Sequence, residues 1–244
     1  MLEVLFIGTG DAFGSGGRRN SAILVRDGHN ALLLDCGPTT LLGLKDLGID
    51  PREIDAIAVS HFHGDHAAGI PFMLLDYVFA SPREKPLEIL GPPGFRKRVE
   101  QMTDCFGYKT PVERSYELRY HEFTSGMEHE SAGFKITPEP AHHHPETRPH
   151  MIRVDAGGRA LLFSGDTGWT DSLPGLVADV NLFICECVQM HEDFEYHLSH
   201  ERLDKERSRF QCDRIVLTHL GSEVLSDLDR VNFETARDGL RLKI

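Results

Sequence analysis

Short apolar runs bounded by turn residues recur along the first half of the chain, a pattern typical of β-strands. Such runs cover Leu2–Gly8, Ser21–Arg26 and Ala31–Asp35, and Asp27–Asn30 has the composition of a hairpin turn between the last two. The elements that follow are predicted to be a helix over Pro38–Leu47, a strand over Ile54–Ser60, a helix over Ala67–Phe79, a strand over Leu87–Leu90 and a helix that ends near Phe106.

The second half of the chain repeats this alternation. A helix is predicted over Ser199–Phe210, and strands over Tyr116–Phe123, Phe134–Pro140, His150–Val154, Ala160–Ser164, Val180–Cys187, Arg214–Thr218 and Leu240–Ile244. Helices are thus available in both halves to cover the outer faces of two sheets. No linker-like stretch divides the sequence. We therefore predict one domain over residues 1–244, with an α/β fold built as a four-layer α/β/β/α sandwich.

The net charge of the chain limits the kinds of binding partner that we expect. The chain has 38 acidic against 26 basic residues, a net charge of −12. This charge repels nucleic acid at long range, so extended nucleic acid is not the expected partner, whereas a small anionic substrate that meets bound metal is compatible with it. No apolar run has the length required to cross a bilayer, so no membrane partner is expected. A homodimer remains open.

The N-terminus and the cysteines point to the cell interior. Met1–Ile7 has the pattern of a strand and lacks the basic start and the cleavage site of a secretion signal. The five cysteines form an odd, scattered set, which fits reduced thiols better than a disulfide framework. We therefore predict a cytoplasmic protein. Cys185 and Cys187 share a face of one predicted strand, where packing in the core is favoured over a soft-metal site.

The strongest chemical signal is the sequence His61-Phe62-His63-Gly64-Asp65-His66, which follows the predicted buried strand Ile54–Ser60 directly. Side chains two apart in an extended backbone point the same way, so His61 and His63 can bind one cation. A turn at Gly64 directs Asp65 and His66 toward a second cation. Imidazole nitrogens combined with a carboxylate oxygen suit zinc, and also manganese or iron. The sequence therefore predicts two adjacent sites for divalent metal ions.

Further candidate ligands stand at the ends of other predicted strands. Asp166 follows one strand and His219 another, and the run His142-His143-His144 follows Phe134–Ala141. Taken singly, each is equally compatible with an ordinary structural role, because acidic residues after strands often form turns or cap helices and lone histidines are often satisfied by hydrogen bonds.

In their order along the chain, these residues resemble the metallo-β-lactamase superfamily over essentially the whole sequence. The segments Ile7-Gly8-Thr9-Gly10, Leu34-Asp35-Cys36-Gly37 and Leu217-Thr218-His219 are similar to the branch that contains ribonuclease Z and related small phosphodiesterases. The resemblance implies that a first metal is bound by His61, His63 and one histidine of the 142–144 run, a second by Asp65, His66 and His219, with Asp166 bridging the two. Within the run, the register and spacing that resemble the family favour His143.

The resemblance also implies the catalytic groups. Asp65 belongs to them through the metal site, and His197, in His197-Leu198-Ser199-His200, is similar to the extra histidine that this branch places beside the metals as a proton donor. A polar helix start with Ser199 as the cap is the alternative role for this segment, and the two roles are compatible. Two features depart from known branches. The long arm with which ribonuclease Z grips tRNA is not visible, and neither is the Thr-Pro-Gly-His segment of the thioesterase and lactonase branches.

The function implied is that of a binuclear metal-dependent hydrolase. Two cations about 3.5–4 Å apart lower the pKa of a shared water toward neutrality and so provide a hydroxide nucleophile. A phosphodiesterase acting on a small or terminal phosphodiester, such as a cyclic or modified nucleotide, is the favoured function. A lactone, ester or thioester hydrolase using the same site is the alternative. A non-catalytic metal-binding module is the third hypothesis, and the presence of all seven ligand candidates argues against it.

Overall fold

The computed structural model describes residues 1–107, 114–191 and 194–244. Over these residues the strands are β1 (Glu3–Gly8), β2 (Ala22–Arg26), β3 (Ala31–Leu34), β4 (Ala56–Ala58), β5 (Leu87–Gly91), β6 (Leu118–Glu122), β7 (His129–Ser131), β8 (Phe134–Pro140), β9 (His150–Ala156), β10 (Arg159–Phe163), β11 (Leu182–Glu186), β12 (Ile215–Thr218), β13 (Glu234–Thr235) and β14 (Arg241–Lys243). The α-helices there are α1 (Thr40–Asp46), α2 (Gly64–Ala67), α3 (Ile70–Phe79), α4 (Phe95–Cys105), α5 (Leu173–Val177), α6 (His200–Glu206) and α7 (Ser222–Ser226).

The strands form two mixed sheets of the same design. The first has the order β14-β1-β2-β3-β4-β5-β6, and the second has the order β13-β12-β11-β10-β9-β8-β7. In the first sheet, the pairs from β14 to β3 are antiparallel and those from β3 to β6 are parallel. In the second sheet, the pairs from β13 to β10 are parallel and those from β10 to β7 are antiparallel. Each sheet therefore contains a parallel half whose strands all end at one edge.

Three apolar cores hold the layers together. The central core packs side chains from both sheets, among them Phe6, Phe134 and Ile184. A second core lies between the first sheet and the helices α1, α3 and α4, and a third lies between the second sheet and the helices α5, α6 and α7. Helices thus cover the outer face of each sheet, which confirms the predicted α/β/β/α sandwich.

The packing of the third core also shows where two of the cysteines lie. Cys185 and Cys187 are fully buried in the third core, as the core-packing interpretation predicts, and all five cysteines are free thiols.

Across the described ranges, no helix combines the length and the apolar character required to cross a lipid bilayer.

One predicted helix begins later than expected. The helix predicted over Ala67–Phe79 is observed as α3, which begins at Ile70, because Ala67 ends the separate short helix α2 and the chain breaks between the two at Ala68 and Gly69. The break arises because Gly69 packs directly on the chain segment after β3: its amide donates to the Cys36 carbonyl at 2.8 Å, and a Cβ on Gly69 would lie 2.1 Å from the Gly37 carbonyl oxygen. Apolar periodicity continues through the break and hides it. The separate turn of α2 is what directs the histidine motif toward the sheet edge.

Smaller differences concern element ends and short elements. Several ends move by a few residues, as for the helix predicted over Pro38–Leu47, which begins at Thr40, and the one predicted over Ser199–Phe210, whose α-helical part ends at Glu206. Elements of two to five residues, namely α2, β7, β13, α5 and α7, were not predicted. They are too short to carry a periodic pattern.

We predict that Gly69→Ala destabilises the protein by about 1–3 kcal/mol, because the added methyl group overlaps a backbone oxygen that cannot rotate away. The midpoint of urea-induced unfolding should fall accordingly. Gly175→Ala is the matched control: its Cβ would meet nothing within 4 Å, and alanine is the better helix former in α5. A control that is destabilised as much as Gly69→Ala would contradict this account of the break.

Candidate metal centre

The candidate site lies where strands of the two sheets end side by side. His61 follows β4 of the first sheet, and Asp166 and His219 follow β10 and β12 of the second. His143 follows β8. The sheets are joined here by hydrogen bonds, since the His150 amide donates to the Ser60 carbonyl at 3.0 Å and the Phe62 amide donates to the Thr147 carbonyl at 3.0 Å. Rigid strand ends therefore aim side chains from distant parts of the sequence into one buried cleft.

A first donor group consists of three histidines and one carboxylate. The Nδ1 atom of His63 lies 3.1 Å from Nε2 of His61 and 3.0 Å from Nε2 of His143. Asp166 Oδ2 lies 3.7 Å from Nε2 of His61 and 3.9 Å from Nε2 of His143. Ligands held about 2.0–2.1 Å from one tetrahedral ion are roughly 3.3 Å from one another, so these separations match a shared ion.

A second donor group lies beside it. Nε2 of His66 is 3.1 Å from Asp65 Oδ2 and 3.2 Å from Asp166 Oδ1. Nε2 of His219 is 3.2 Å from Asp65 Oδ2 and 3.5 Å from Asp166 Oδ1. The two oxygens of Asp166 thus face different groups, Oδ2 the first and Oδ1 the second. This is the arrangement that a bridging carboxylate requires.

In the first donor group the protonation states favour cation binding. In the second, burial is outweighed by the neighbouring carboxylates, which raise the pKa of His66 and of His219, so a cation bound there would displace protons. Burial holds the pKa of His61 well below its usual value and lowers the pKa of His143 to about 4, so both rings are neutral at pH 7. Burial opposes the ionised form of Asp166, but the adjacent His219, His66 and His61 outweigh it and hold the pKa of that carboxyl well below its ordinary value. Neutral imidazoles and an ionised carboxylate are the forms that bind metal.

Hydrogen bonds behind the donor atoms fix which nitrogen faces the cleft. Asp35 Oδ2 accepts from Nδ1 of His66 at 2.6 Å and from the Ser60 hydroxyl at 3.0 Å. Because that hydroxyl has only one proton, Ser60 Oγ accepts from Nδ1 of His61, 3.0 Å away. The Asp35 carboxylate therefore sets the tautomer of both rings, and their Nε2 atoms present lone pairs to the cleft.

The structure brings one histidine of the 142–144 run into the donor group. His143 donates from Nδ1 to the Tyr196 carbonyl at 2.8 Å, which leaves its Nε2 lone pair toward His63. Among the described residues that could hold a metal ion, neither His142 nor His144 belongs to a group. The ring of His144 packs instead on Tyr196, with ring centroids 4.3 Å apart. All seven residues expected as ligands are thus brought together, with His143 from the run.

His197, the expected proton donor, lies at the edge of the same cleft. Its ring centroid is 5.0 Å from that of His143 and 6.1 Å from that of His219. Nδ1 donates to Oε1 of Glu186 at 2.9 Å. Burial disfavours the charged imidazole, but the Glu186 carboxylate outweighs this and raises the pKa of His197 to about 9. The ring therefore carries a proton at neutral pH.

Sequence reasoning missed Glu186. This glutamate is completely buried at the end of β11, where it also accepts from the Thr167 amide at 2.9 Å. The signal that could have found it is an ionisable residue at the end of the otherwise apolar strand Leu182–Cys185. Glutamate is almost never fully buried without a partner, so such a position indicates one.

The donor set fits divalent metal ions. The described residues include two groups of four side chains whose ligand atoms lie within 4.8 Å of one another, and both contain Asp166. Several of these buried atoms, among them Nε2 of His66 and Oδ1 of Asp166, have no hydrogen-bond partner in the described chain. Buried polar atoms without partners destabilise a protein unless another group binds them. A cation satisfies them all at once.

Comparisons with known proteins agree with the fold. A ribonuclease Z of Mycobacterium bovis is 27% identical over 241 residues, which cover 90% of this chain and 86% of that protein. The metallo-β-lactamase fold protein YhfI from Bacillus subtilis superposes with a TM-score of 0.81 at 20% identity, over 100% of both chains. The short form of human tRNase Z superposes with a TM-score of 0.79 at 22% identity, over 99% of each chain.

The protein is therefore a metal-dependent hydrolase of the metallo-β-lactamase superfamily, similar to ribonuclease Z. Within this class, the model of the family described as anti-Pycsar protein Apyc1 matches residues 2–236, and the chain belongs to that family.

We predict that Asp166→Ala reduces metal binding at both donor groups, because each group loses an oxygen ligand. Elemental analysis of the purified variant should show less than half of the wild-type metal content. Asp171→Ala, which changes a highly exposed aspartate five residues further along, is the control and should keep the full content. Full metal content and activity in Asp166→Ala would contradict the bridging role.

Proposed function

We propose that the protein is a binuclear metal-dependent phosphodiesterase that acts on a small or terminal phosphodiester, such as a cyclic nucleotide. The observation that carries this proposal is the division of the Asp166 oxygens between two adjacent donor groups. One ion would be held by His61, His63 and His143, and the other by Asp65, His66 and His219, with Asp166 between them. Divalent ions in these positions would supply Lewis-acid stabilisation of a phosphoryl oxygen and an activated water, with zinc preferred by the ligand types.

Proton transfer to the leaving group is assigned to His197. Hydrolysis forms a bond from a water oxygen to phosphorus and breaks the bond to the leaving oxygen, which must then take up a proton. Because Nδ1 of His197 is occupied by Glu186, Nε2 is the atom that delivers it. Glu186 keeps the ring oriented and protonated, and it is itself fixed by the Thr167 amide. Glu186 is therefore a positioning residue in this mechanism.

A small substrate is supported by the strands around the site. Residues 144–165 are all described, and they contain a short turn of helix at Pro145–Thr147 and the hairpin of β9 and β10, without an inserted arm. The two strands are joined by a two-residue turn at Gly157 and Gly158. The net charge of −12 also disfavours a long polyanion over a single phosphodiester that the metals can neutralise.

We expect the metal-loaded protein to cleave bis(4-nitrophenyl) phosphate and a 3′,5′-cyclic nucleotide with a higher kcat/KM than a lactone or a thioester. Precursor tRNA should be cut poorly. A panel of these substrates, assayed with the wild type and with Asp166→Ala as the background control, checks this expectation. A preference for carbonyl substrates would instead identify a lactone, ester or thioester hydrolase, and efficient trimming of tRNA 3′ ends would identify a ribonuclease Z.

The role of His197 predicts a dependence on the leaving group. His197→Ala should keep both metals but lose about 10²–10⁴-fold in rate on a phosphodiester with an alkyl leaving group, the usual contribution of a general acid. The loss should be far smaller when nitrophenolate leaves, because this anion departs without a proton. His191→Ala, which changes an exposed histidine of the same loop, is the control. Equal losses on both substrates would point to positioning or metal binding instead.

A further inference from the structure

A four-residue turn, Phe194–His197, forms one wall of the cleft next to the metal centre. It is closed by a hydrogen bond in which the His197 amide donates to the Phe194 carbonyl at 3.2 Å. Its last residue is the proposed proton donor, and its first residue is an exposed phenylalanine. The chain thus places an aromatic ring three residues from the group that meets the leaving oxygen.

This turn is held by contacts at every position after Phe194. The Tyr196 carbonyl accepts from Nδ1 of His143 at 2.8 Å, and the His197 ring is held by Glu186. The Glu195 carbonyl packs against Gly168 so closely that a Cβ on this glycine would lie 2.0 Å from the carbonyl oxygen. The backbone that carries Phe194 is therefore positioned by the metal site itself and by the chain segment after Asp166.

The rings form a column that leads from the donor groups to solvent. The His219 and His197 rings are nearly parallel, with an angle of 14° and centroids 6.1 Å apart. The His197 and Phe194 rings follow at 19° and 5.9 Å. Phe194 is 53% exposed, although an aromatic ring gains most from burial. Tyr196 cannot play the same role, because its ring packs on His144.

These contacts indicate which part of a substrate Phe194 would contact. In the proposed reaction, the leaving oxygen lies at His197, so the group attached to that oxygen extends along the column toward Phe194. A flat apolar ring on a fixed backbone favours a planar aromatic group, and any nucleobase has such a face. A lipid or a simple alkyl ester would not benefit from the parallel orientation of the rings.

We propose that Phe194 is a specificity-determining residue that stacks on the nucleobase of a nucleotide substrate. This proposal rests on the proposed function, because it places the base by the position of the leaving group. It limits the substrate to a class of phosphodiesters that carry a heteroaromatic base close to the scissile bond.

The test compares two substrates of the metal-loaded full-length protein, 3′,5′-cyclic AMP and the base-free ribose 3′,5′-cyclic phosphate. In Phe194→Ala, the ratio of kcat/KM for the first over the second should fall about tenfold, mainly through KM, as expected for the loss of one base stack. Phe194→Trp should restore the ratio. Phe79→Ala, which removes a phenylalanine that is 71% exposed at the far end of α3, should leave it unchanged. An unchanged ratio in Phe194→Ala would overturn the proposal.

A binding measurement separates this proposal from the proposed function. Calorimetry should show that Phe194→Ala weakens adenosine 5′-monophosphate about tenfold while ribose 5-phosphate binds as weakly as before. If no phosphodiester is cleaved but this difference is found, the stacking role stands and the proposed function fails. If phosphodiesters are cleaved but Phe194→Ala changes neither the substrate ratio nor the affinity for the nucleotide, the stacking role fails and the proposed function stands.

Discussion

The mutual approach of imidazole nitrogens and carboxylate oxygens in one buried cleft is the constraint around which the rest of the structure is arranged. His63 Nδ1 lies 3.0–3.1 Å from the Nε2 atoms of His61 and His143. Beside them, Nε2 of His66 and Oδ1 of Asp166 are buried without a hydrogen-bond partner in the described chain. An unpartnered polar atom in a protein interior costs about 1–3 kcal/mol, so such a cluster is unfavourable by itself. It persists because each side chain is carried by a chain segment that the apolar cores fix independently. Stability elsewhere in the fold therefore maintains a site that attracts cations.

The Asp35 carboxylate orients two of the histidine rings in this cleft. Asp35 lies in the left-handed region, with φ at 57°, a conformation that aspartate tolerates better than most residues. In this conformation one carboxylate holds His66 directly and His61 through Ser60. One histidine of each donor group is thus oriented by a single residue behind it. Positioning of this kind keeps ligand geometry constant while substrates enter and leave.

Much of the site could be predicted because its residues are grouped in the sequence. The histidine motif after Ile54–Ser60 and the polar residues at strand ends are local signals, and strand ends meet at a sheet edge whatever the details of packing. The choice of His143 needed more, since a run of three histidines contains no local information on which ring turns inward. The break at Gly69 could not be found locally, because it depends on a contact with a distant segment, and the only local signal for Glu186 was an ionisable residue at the end of an apolar strand. The four-layer fold followed from the alternation of strands and helices, whereas β13, with two residues, had no pattern to detect.

The site has a rigid part, which is held within the sheets, and a part that can vary, which lies on a turn outside them. The candidate metal ligands lie at strand ends or on the helical turn α2, held by backbone hydrogen bonds within the sheets. The turn Phe194–His197 belongs to no sheet, yet its Tyr196 carbonyl fixes the tautomer of His143. This contact uses the backbone of residue 196 and leaves the side chain at position 194 free to vary. A different side chain there changes what the cleft contacts without changing how the donor atoms are held. Selection among substrates can therefore be altered separately from the hydrolytic centre, as is common where binding residues lie on loops over a rigid scaffold.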